Sequence, residues 1–350
     1  MRHVAPSSLA LMGVLDFLEV MSTTRPPTAA ALPYDKPFLS IAEQRALLAS
    51  RGMGVRDSEE ADHYLRHEGY YRLSTYFNSF CKHSADGKRL DAFLPESDFH
   101  EVVRLYDFDK HLRSILLPAL RGVEISVRVA VAHHLGRQDI FAHENPQLLA
   151  HSFTHGESTW RGKSWYQVWL DKYNAMLSRD DQEDFVRQFI SKYGRRIPIW
   201  VAIEVWDFGL LSRFFGGMRF PDQHAVSKLY GVDDPKIFAS WLRNFNYVRN
   251  VCAHHSRLWN RNITEQPRLV QKQKIHLLRH LTMRGVKAPG ARVYATVALV
   301  TYVLRMMRQK TPWREAVVKL LESFPQCGGV SLGMMGVPED WRELELWRSD

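Results

Sequence analysis

The sequence predicts an all-α protein. Three observations carry that reading. Apolar residues recur every three or four positions through most of the chain after residue 36. Several helix starts carry their chemical signatures. The hydrophobic share of 45%, with 12% aromatic, is enough to bury a core in a chain of 350 residues.

The elements follow in order. Ser40, followed three positions later by Glu43, has the form of a capping box, in which each side chain satisfies a free backbone N–H of the first turn. A second helix runs from Ser58 through Leu65 and leads into the block Gly69-Tyr70-Tyr71-Arg72-Leu73-Ser74-Thr75-Tyr76. Phe99 to Leu135 reads as one long helix, with Leu112, Leu116, Leu120, Val123, Val127 and Leu135 on one stripe. Pro118 must kink or divide it, because proline removes an intrahelical donor. The stretch 143–195, with Gly156, Trp160, Gly162, Trp165 and Tyr166 in polar sequence, reads as an irregular insertion or a lid. Ile197 to Ser212 reads as a buried helix.

Asp234-Pro235 then opens a key helix with an N-cap and a proline at the first position. Phe238, Trp241, Leu242, Phe245, Val248 and Cys252 form its apolar face. Arg243, Asn246, Asn250, His254, Arg257 and Arg261 form a polar stripe. Ala291 to Gln309 is a further apolar helix, and Thr311-Pro312 starts another through Leu321. The expected division is a flexible extension at 1–35, a small helical region at 36–98 and a larger helical domain at 99–350.

Bulk properties narrow the function classes. The net charge of +9 points to a polyanionic partner, nucleic acid ahead of membrane. Three lone cysteines without a CxxC pair fit a reducing cytosol and disfavour a thiolate zinc site. No run of about 18 uncharged apolar residues suggests a membrane span. Ser22 to Pro33 has linker composition, and Asp16 and Glu19 interrupt the apolar run before it, against a secretory leader.

The most informative stretch is Tyr247 to Arg261, which holds two histidines, three arginines and two asparagines in a run expected to be helical. Bare spacing identifies nothing: Arg followed closely by His recurs at Arg128–His133, Arg137–His143 and Arg219–His224, about as often as chance predicts. Composition says more. A solvated helix face mixes Glu with Lys, whereas the stripe from Arg243 to Arg261 contains no acidic residue. It is suited to holding an anion. The bland alternative is that Asn250 and His254 satisfy a polar interface between helices.

The block Arg249-Asn250-Val251-Cys252-Ala253-His254-His255-Ser256-Arg257-Leu258-Trp259-Asn260-Arg261 resembles the signature of the Abi-like (AbiD/AbiF) abortive-infection proteins of bacteria. Further resemblance lies in Lys36-Pro37, Gln44, Arg51-Gly52, the Tyr-Tyr-Arg block, Tyr106 to Arg113, Glu124 to Arg128, Ile197 to Ser212 and Met334 to Trp341, so that it covers roughly residues 36–347. That family is placed in the wider HEPN group, whose ribonuclease members carry Arg, a polar residue, a spacer and then His. The resemblance therefore implies a HEPN-like helical bundle and a metal-independent endoribonuclease of anti-phage defence. Arg249 would clamp the phosphate, Asn250 would position it and His254 would carry the proton. His255, Arg257, Arg261, Arg128, Glu124, Tyr71 and Arg72 are accessory candidates for the RNA.

The chemistry is coherent. RNA carries its own nucleophile in the 2′-hydroxyl, histidine titrates near neutral pH, and arginine matches phosphate oxygens with a fixed fork. No metal or cofactor is expected: Glu204 and Asp207 stand three apart without a His or Cys partner. Two choices stay open. Tyr71 and Arg72 either meet the RNA or pack between helices, and packing is the commoner use of such tyrosines. The Glu124–Arg128 pair is either a surface ion pair or a second cation beside the catalytic helix. Residues five apart on a helix face about 140° from each other, so Arg249 and His254 do not share a face: either the helix bends there, or another helix or subunit completes the site. In HEPN ribonucleases two copies of the motif usually meet across a dimer interface, and with one good copy in this chain the resemblance implies a homodimer with paired sites. The alternative function is a non-catalytic module that holds a small structured RNA.

Overall fold

A computed structural model describes residues 37–158, 162–178, 184–270, 275–282, 289–308 and 311–348. The expected N-terminal extension at 1–35 and Trp160 lie outside the described residues. The architecture is an all-α bundle with one two-stranded hairpin.

Its first part holds α1 (Ile41–Ser50), α2 (Ser58–Tyr64) and α3 (Tyr70–Phe77). The capping box at Ser40 forms as its sequence dictates, with the Ser40 hydroxyl accepting from the Glu43 N–H and the Glu43 carboxylate from the Ser40 N–H. Between α2 and α3 the helix widens into a π turn over Leu65–Gly69, which Gly69 ends at φ +85°. A hairpin follows, β1 (Cys81–His83) antiparallel to β2 (Arg89–Phe93), with Cys81 opposite Phe93 and His83 opposite Arg89. The helical reading of the chain had no place for it. Its signal is Asp86-Gly87, where Gly87 takes φ +79° and donates to the Ser84 carbonyl (2.9 Å).

The axis of the bundle is α4 (Phe99–Gly136). At 1.5 Å per residue its 38 residues reach about 57 Å. Pro118 does not divide it. Pro118 and Ser114, whose carbonyl loses its helical donor, both lie on the exposed side of the helix, where water can serve that carbonyl. The other side is apolar from Val102 to Leu135 apart from Asp109, Arg113 and Glu124, three charged side chains inside a buried stripe.

The stretch expected to be irregular contains α5 (His151–Thr154), α6 (Trp165–Leu177) and α7 (Asp184–Tyr193). It is not a loose cover, because Trp169 of α6 is buried among Tyr166, Tyr173, Trp206 and Phe214 and donates its indole N–H to the Leu210 carbonyl (3.1 Å). Nor is Ile197 to Ser212 one helix. It breaks into α8 (Ile199–Ala202), a 3-10 turn at Ile203–Val205, and α9 (Phe208–Gly217). The break has a local cause: Asp207 caps α9 by accepting from the Leu210 N–H (2.7 Å), which requires extended backbone at 206–207.

Two helices close the core beside α4: α11 (Pro235–Ala253), preceded by α10 (Phe220–Lys228), and α12 (Val293–Met306), followed by α13 (Trp313–Glu322). Asp234 caps α11 as predicted, accepting from Lys236 N–H (2.9 Å). Every residue of α12 from Val293 to Leu304 is buried, the mark of a helix surrounded by others. No described helix is long and apolar enough to cross a membrane.

Two histidines are buried in this frame. Burial pushes His143 down to about 4, and it pushes His280 down to about 4 as well. Both stay neutral in the folded chain, whereas an unfolded imidazole takes up its proton near pH 6.5. The unfolded state binds the extra protons between these values, so stability is complete above about pH 6.5 and declines as the pH falls toward 4. Urea unfolding should show a slope approaching about 1.4 kcal/mol per pH unit from each histidine between about pH 4.5 and 6, levelling off by about pH 7, and His143→Leu should flatten the slope by one histidine's share. An unchanged slope would remove His143 from this account.

Candidate nucleic-acid interface

The motif begins inside α11 and ends beyond it. The expected helix through Arg261 does not form: α11 stops at Ala253, and the polar stripe with it. His254 is the C-cap, and His255 follows in the left-handed region at φ +54°. The Ser256 N–H donates back to the Val251 carbonyl (3.0 Å) and the His255 N–H to the Cys252 carbonyl (3.1 Å). This is a Schellman stop, built with a histidine where glycine is usual. Both imidazoles are exposed.

Asp109 makes the stop necessary. Its carboxylate, 0% exposed on α4, accepts from the backbone N–H of Leu258 (3.1 Å) and of Trp259 (2.8 Å). It also accepts from the Tyr76 hydroxyl (2.6 Å) and from Arg113, one turn along α4. Burial lifts the Asp109 carboxyl above the usual range, while Arg113 and these donors favour the charged form. Leu258 and Trp259 are both fully buried, which a continued helix would not have arranged around this carboxylate.

Three candidate cations secure the same turn. Arg72 donates to the His255 carbonyl (2.8 Å) and Arg257 to the Thr75 carbonyl (2.6 Å), a reciprocal pair that ties the turn to α3. Arg261 donates to the Tyr247 hydroxyl (3.0 Å) and to the Arg257 carbonyl (3.1 Å). Tyr71 divides from its neighbours: it is 90% exposed, whereas Tyr76 is core and Tyr70 packs edge-on against Phe77. The packing reading therefore holds for Tyr70 and Tyr76 and not for Tyr71.

One turn back on α11, Arg249 is half-buried and donates to the Asn250 side-chain oxygen (3.1 Å); the Asn250 carbonyl accepts the His254 N–H (2.9 Å). Glu124 and Arg128 stand beside this helix on α4. They are not a surface ion pair. Glu124 is buried, and Arg128 reaches its carboxylate (2.6 Å), the Trp206 carbonyl (2.6 Å) and Glu204 (3.6 Å). Burial raises the Glu124 carboxyl, against the pull of Arg128 and then of Arg249, so both guanidiniums act on one carboxylate. The Asn246 amide lies over Gly209 at the start of α9, where an added Cβ would press first on the Asp207 carboxylate (3.2 Å) and only touch the amide (3.6 Å). Asp207, for its part, pairs with Lys172 (2.7 Å). Among the described residues no three His, Cys, Asp or Glu side chains gather as a metal would require. Cys252, the one thiol of the motif, is pushed by burial up to about 12 and stays protonated.

The structure thus joins Arg249, Asn250 and His254 through the end of one helix, with Glu124 and Arg128 behind Arg249 and with Arg72, Arg257 and Arg261 bracing the turn. A model of the family described as Abi-like protein matches residues 63–260, from α2 to the turn just described. The chain belongs to the Abi-like family. The match is narrower than the resemblance drawn over 36–347, and it leaves out α12 and α13. No curated protein and no solved structure gives a match. The family association is with abortive infection, a bacterial defence against phage.

Sequence reasoning missed Asp109, Tyr76 and Arg113 as the support of the site. A signal was there: an Asp and an Arg four apart, both on the face of α4 that carries Leu105, Phe108, Leu112 and Leu116. Asp109→Ala should destabilise the fold by about 3–5 kcal/mol, because Arg113 and two backbone N–H groups lose a buried partner; chemical denaturation reads it. His255→Gly should act in the opposite direction, relieving about 1 kcal/mol of left-handed strain and raising the unfolding midpoint. A lowered midpoint would mean that the His255 side chain itself contributes to the fold.

Proposed function

We propose that this Abi-like chain is an endoribonuclease of the HEPN kind, acting in anti-phage defence by attack of the RNA 2′-hydroxyl on the neighbouring phosphorus. The observation that carries the reading is the contrast at the end of α11: an exposed His254 ring on a backbone fixed by Asp109, Arg72 and Arg257. Proton transfer requires a group that solvent and substrate can reach and that does not wander. His254 removes the 2′-hydroxyl proton or delivers one to the departing 5′-oxygen. Arg249 neutralises the phosphorane oxygens, and Asn250, held to it at 3.1 Å, fixes the direction of its guanidinium. The products are a 2′,3′-cyclic phosphate and a 5′-hydroxyl. His255 stands next to His254 as a second proton carrier, and the exposed ring of Tyr71 offers a base a face to stack on. Two copies of the chain meet across these sites, so that each half-buried Arg249 serves alongside an exposed His254 from its partner.

A second reading keeps the grip and drops the cut: a module that binds a small structured RNA. What favours it is the setting of Arg249, whose charge already acts on Glu124.

The two readings part on total bacterial RNA in EDTA, with wild type, His254→Ala and Arg249→Ala side by side. The expected outcome is cleavage by wild type to cyclic-phosphate ends. His254→Ala should cut at least about 100-fold more slowly while still binding RNA. Binding without cleavage by all three proteins would select the second reading.

A further inference from the structure

A groove of about 370 Å³ lies between the C-terminal half of α4 and the α8 turn, lined by Val129, His133, Gly136, Trp200, Ile203 and Glu204. We propose that it holds one unpaired nucleobase of the bound RNA, and that Glu204 makes guanine the preferred base. The inference rests on the RNA reading of the neighbouring site and deepens it by naming what the substrate must present.

Four features argue for a base. Trp200 is 50% exposed, unusual for a tryptophan beside a core, and its benzo ring rests against Gly136, where an added Cβ would come within 3.4 Å. The indole thus packs closely on the α4 backbone at this glycine and keeps its outer face open as a platform, and stacking on such a platform accepts any base. The buried Ile203 and the exposed Val129 add apolar surface beside it. The rim is cationic: Arg137, another lining residue, lies 3.3 Å from the His133 ring and supplies charge where a flanking phosphate would run. The groove is also wired to the motif. Glu204 meets Arg128 at 3.6 Å, Arg128 meets Glu124 at 2.6 Å, and Glu124 feels Arg249.

The preference follows from the carboxylate. Glu204 is exposed, and the long contact with Arg128 leaves acceptor positions on both oxygens. Guanine presents two adjacent donors, its ring N–H and its exocyclic amine, which match a carboxylate in a paired fashion. Adenine and cytosine present one donor beside an acceptor, and uracil one donor between two acceptors; each sets a carbonyl or ring nitrogen against the negative oxygen.

The test uses the full chain and fluorescein-labelled pentamers UUGUU, UUAUU and UUUUU, fully 2′-O-methylated so that none can be cut, read by anisotropy. UUGUU should bind at least about 10-fold tighter than the other two. Trp200→Ala should weaken UUGUU by about 10-fold or more, while Glu204→Gln should level the three affinities without lowering that of UUUUU. Thermal melts of both variants establish that they are folded. Equal affinities for the three pentamers in wild type, or an unchanged Trp200→Ala, would overturn the proposal. So would a Trp200→Ala that keeps its RNA affinity but sediments as a smaller species, which would make this face a contact between copies. Failure here is separable from failure of the ribonuclease reading. Cleavage dependent on His254 with no base preference removes the groove alone. A base preference with natural RNA left intact removes the cutting and keeps the groove.

Discussion

The buried carboxylate of Asp109 is the constraint on which the functional end of the molecule depends. A charge at 0% exposure is tolerated only if its acceptor positions are filled, and they are filled from three separate parts of the chain: Tyr76 on α3, Arg113 on α4, and the backbone of Leu258 and Trp259. None of these donors is replaceable by water in a closed core. The N-terminal helices, the axis of the bundle and the segment after α11 are therefore held in one arrangement by a single side chain. Apolar packing alone would fix them less sharply, because hydrophobic contact has no direction.

That arrangement dictates what happens at His254 and His255. For Leu258 and Trp259 to reach Asp109 the helix has to stop, and the stop is made at His255 with positive φ, without glycine. Left-handed backbone at a residue with a Cβ costs on the order of 1–2 kcal/mol. Strain of this kind persists where the surroundings over-determine it, and here Arg72 and Arg257 bind the turn to α3 from both sides. The arginines of the motif thus divide their labour. Arg72, Arg257 and Arg261 hold backbone and hydroxyl groups, while Arg249 donates to Asn250 and its charge acts on Glu124.

Much of this was legible in the sequence, and the unreadable part has a physical pattern. Starts of helices were readable at Ser40 and Asp234-Pro235, because a cap is a local matter settled within four residues. The long periodic run of α4 was readable for the same reason, and even Pro118 left it whole once its exposed side was known. What sequence could not show were the ends set by distant partners. Nothing at positions 254–256 announces a stop, since neither glycine nor proline stands there and the cause is an aspartate about 150 residues earlier in the chain. The break at Trp206-Asp207 is intermediate: Asp207 is a good cap, yet the apolar residues around it continued the helical pattern and concealed it. Of the site, Arg249, Asn250 and His254 were legible as a motif. Arg72, Arg257, Arg261, Glu124 and Arg128 were legible too, but as RNA contacts; that they brace the motif, and that Asp109 anchors it, was not, because support is a property of contacts.

The electrostatics of Arg249 bear on how such a site would work. A lone guanidinium half-buried in a protein seeks a carboxylate, and here it has Glu124, already shared with Arg128. Arg128 also reaches Glu204 (3.6 Å), and Asp207 acts on Glu124 from nearby, so the acids here offset the two cations and a phosphate would compete for Arg249 with a carboxylate that is not its alone. The shared carboxylate would keep Arg249 oriented while unoccupied and let it turn toward a stronger anion, at less cost than breaking a one-to-one buried pair. Glu204, exposed at the outer end of the same chain of charges, would extend that coupling to whatever occupies the groove beside Trp200. On this view the acids among the basic residues are no contradiction of an anion site. They would set how much of its charge is available, and would link the proposed seating of a base to the readiness of Arg249.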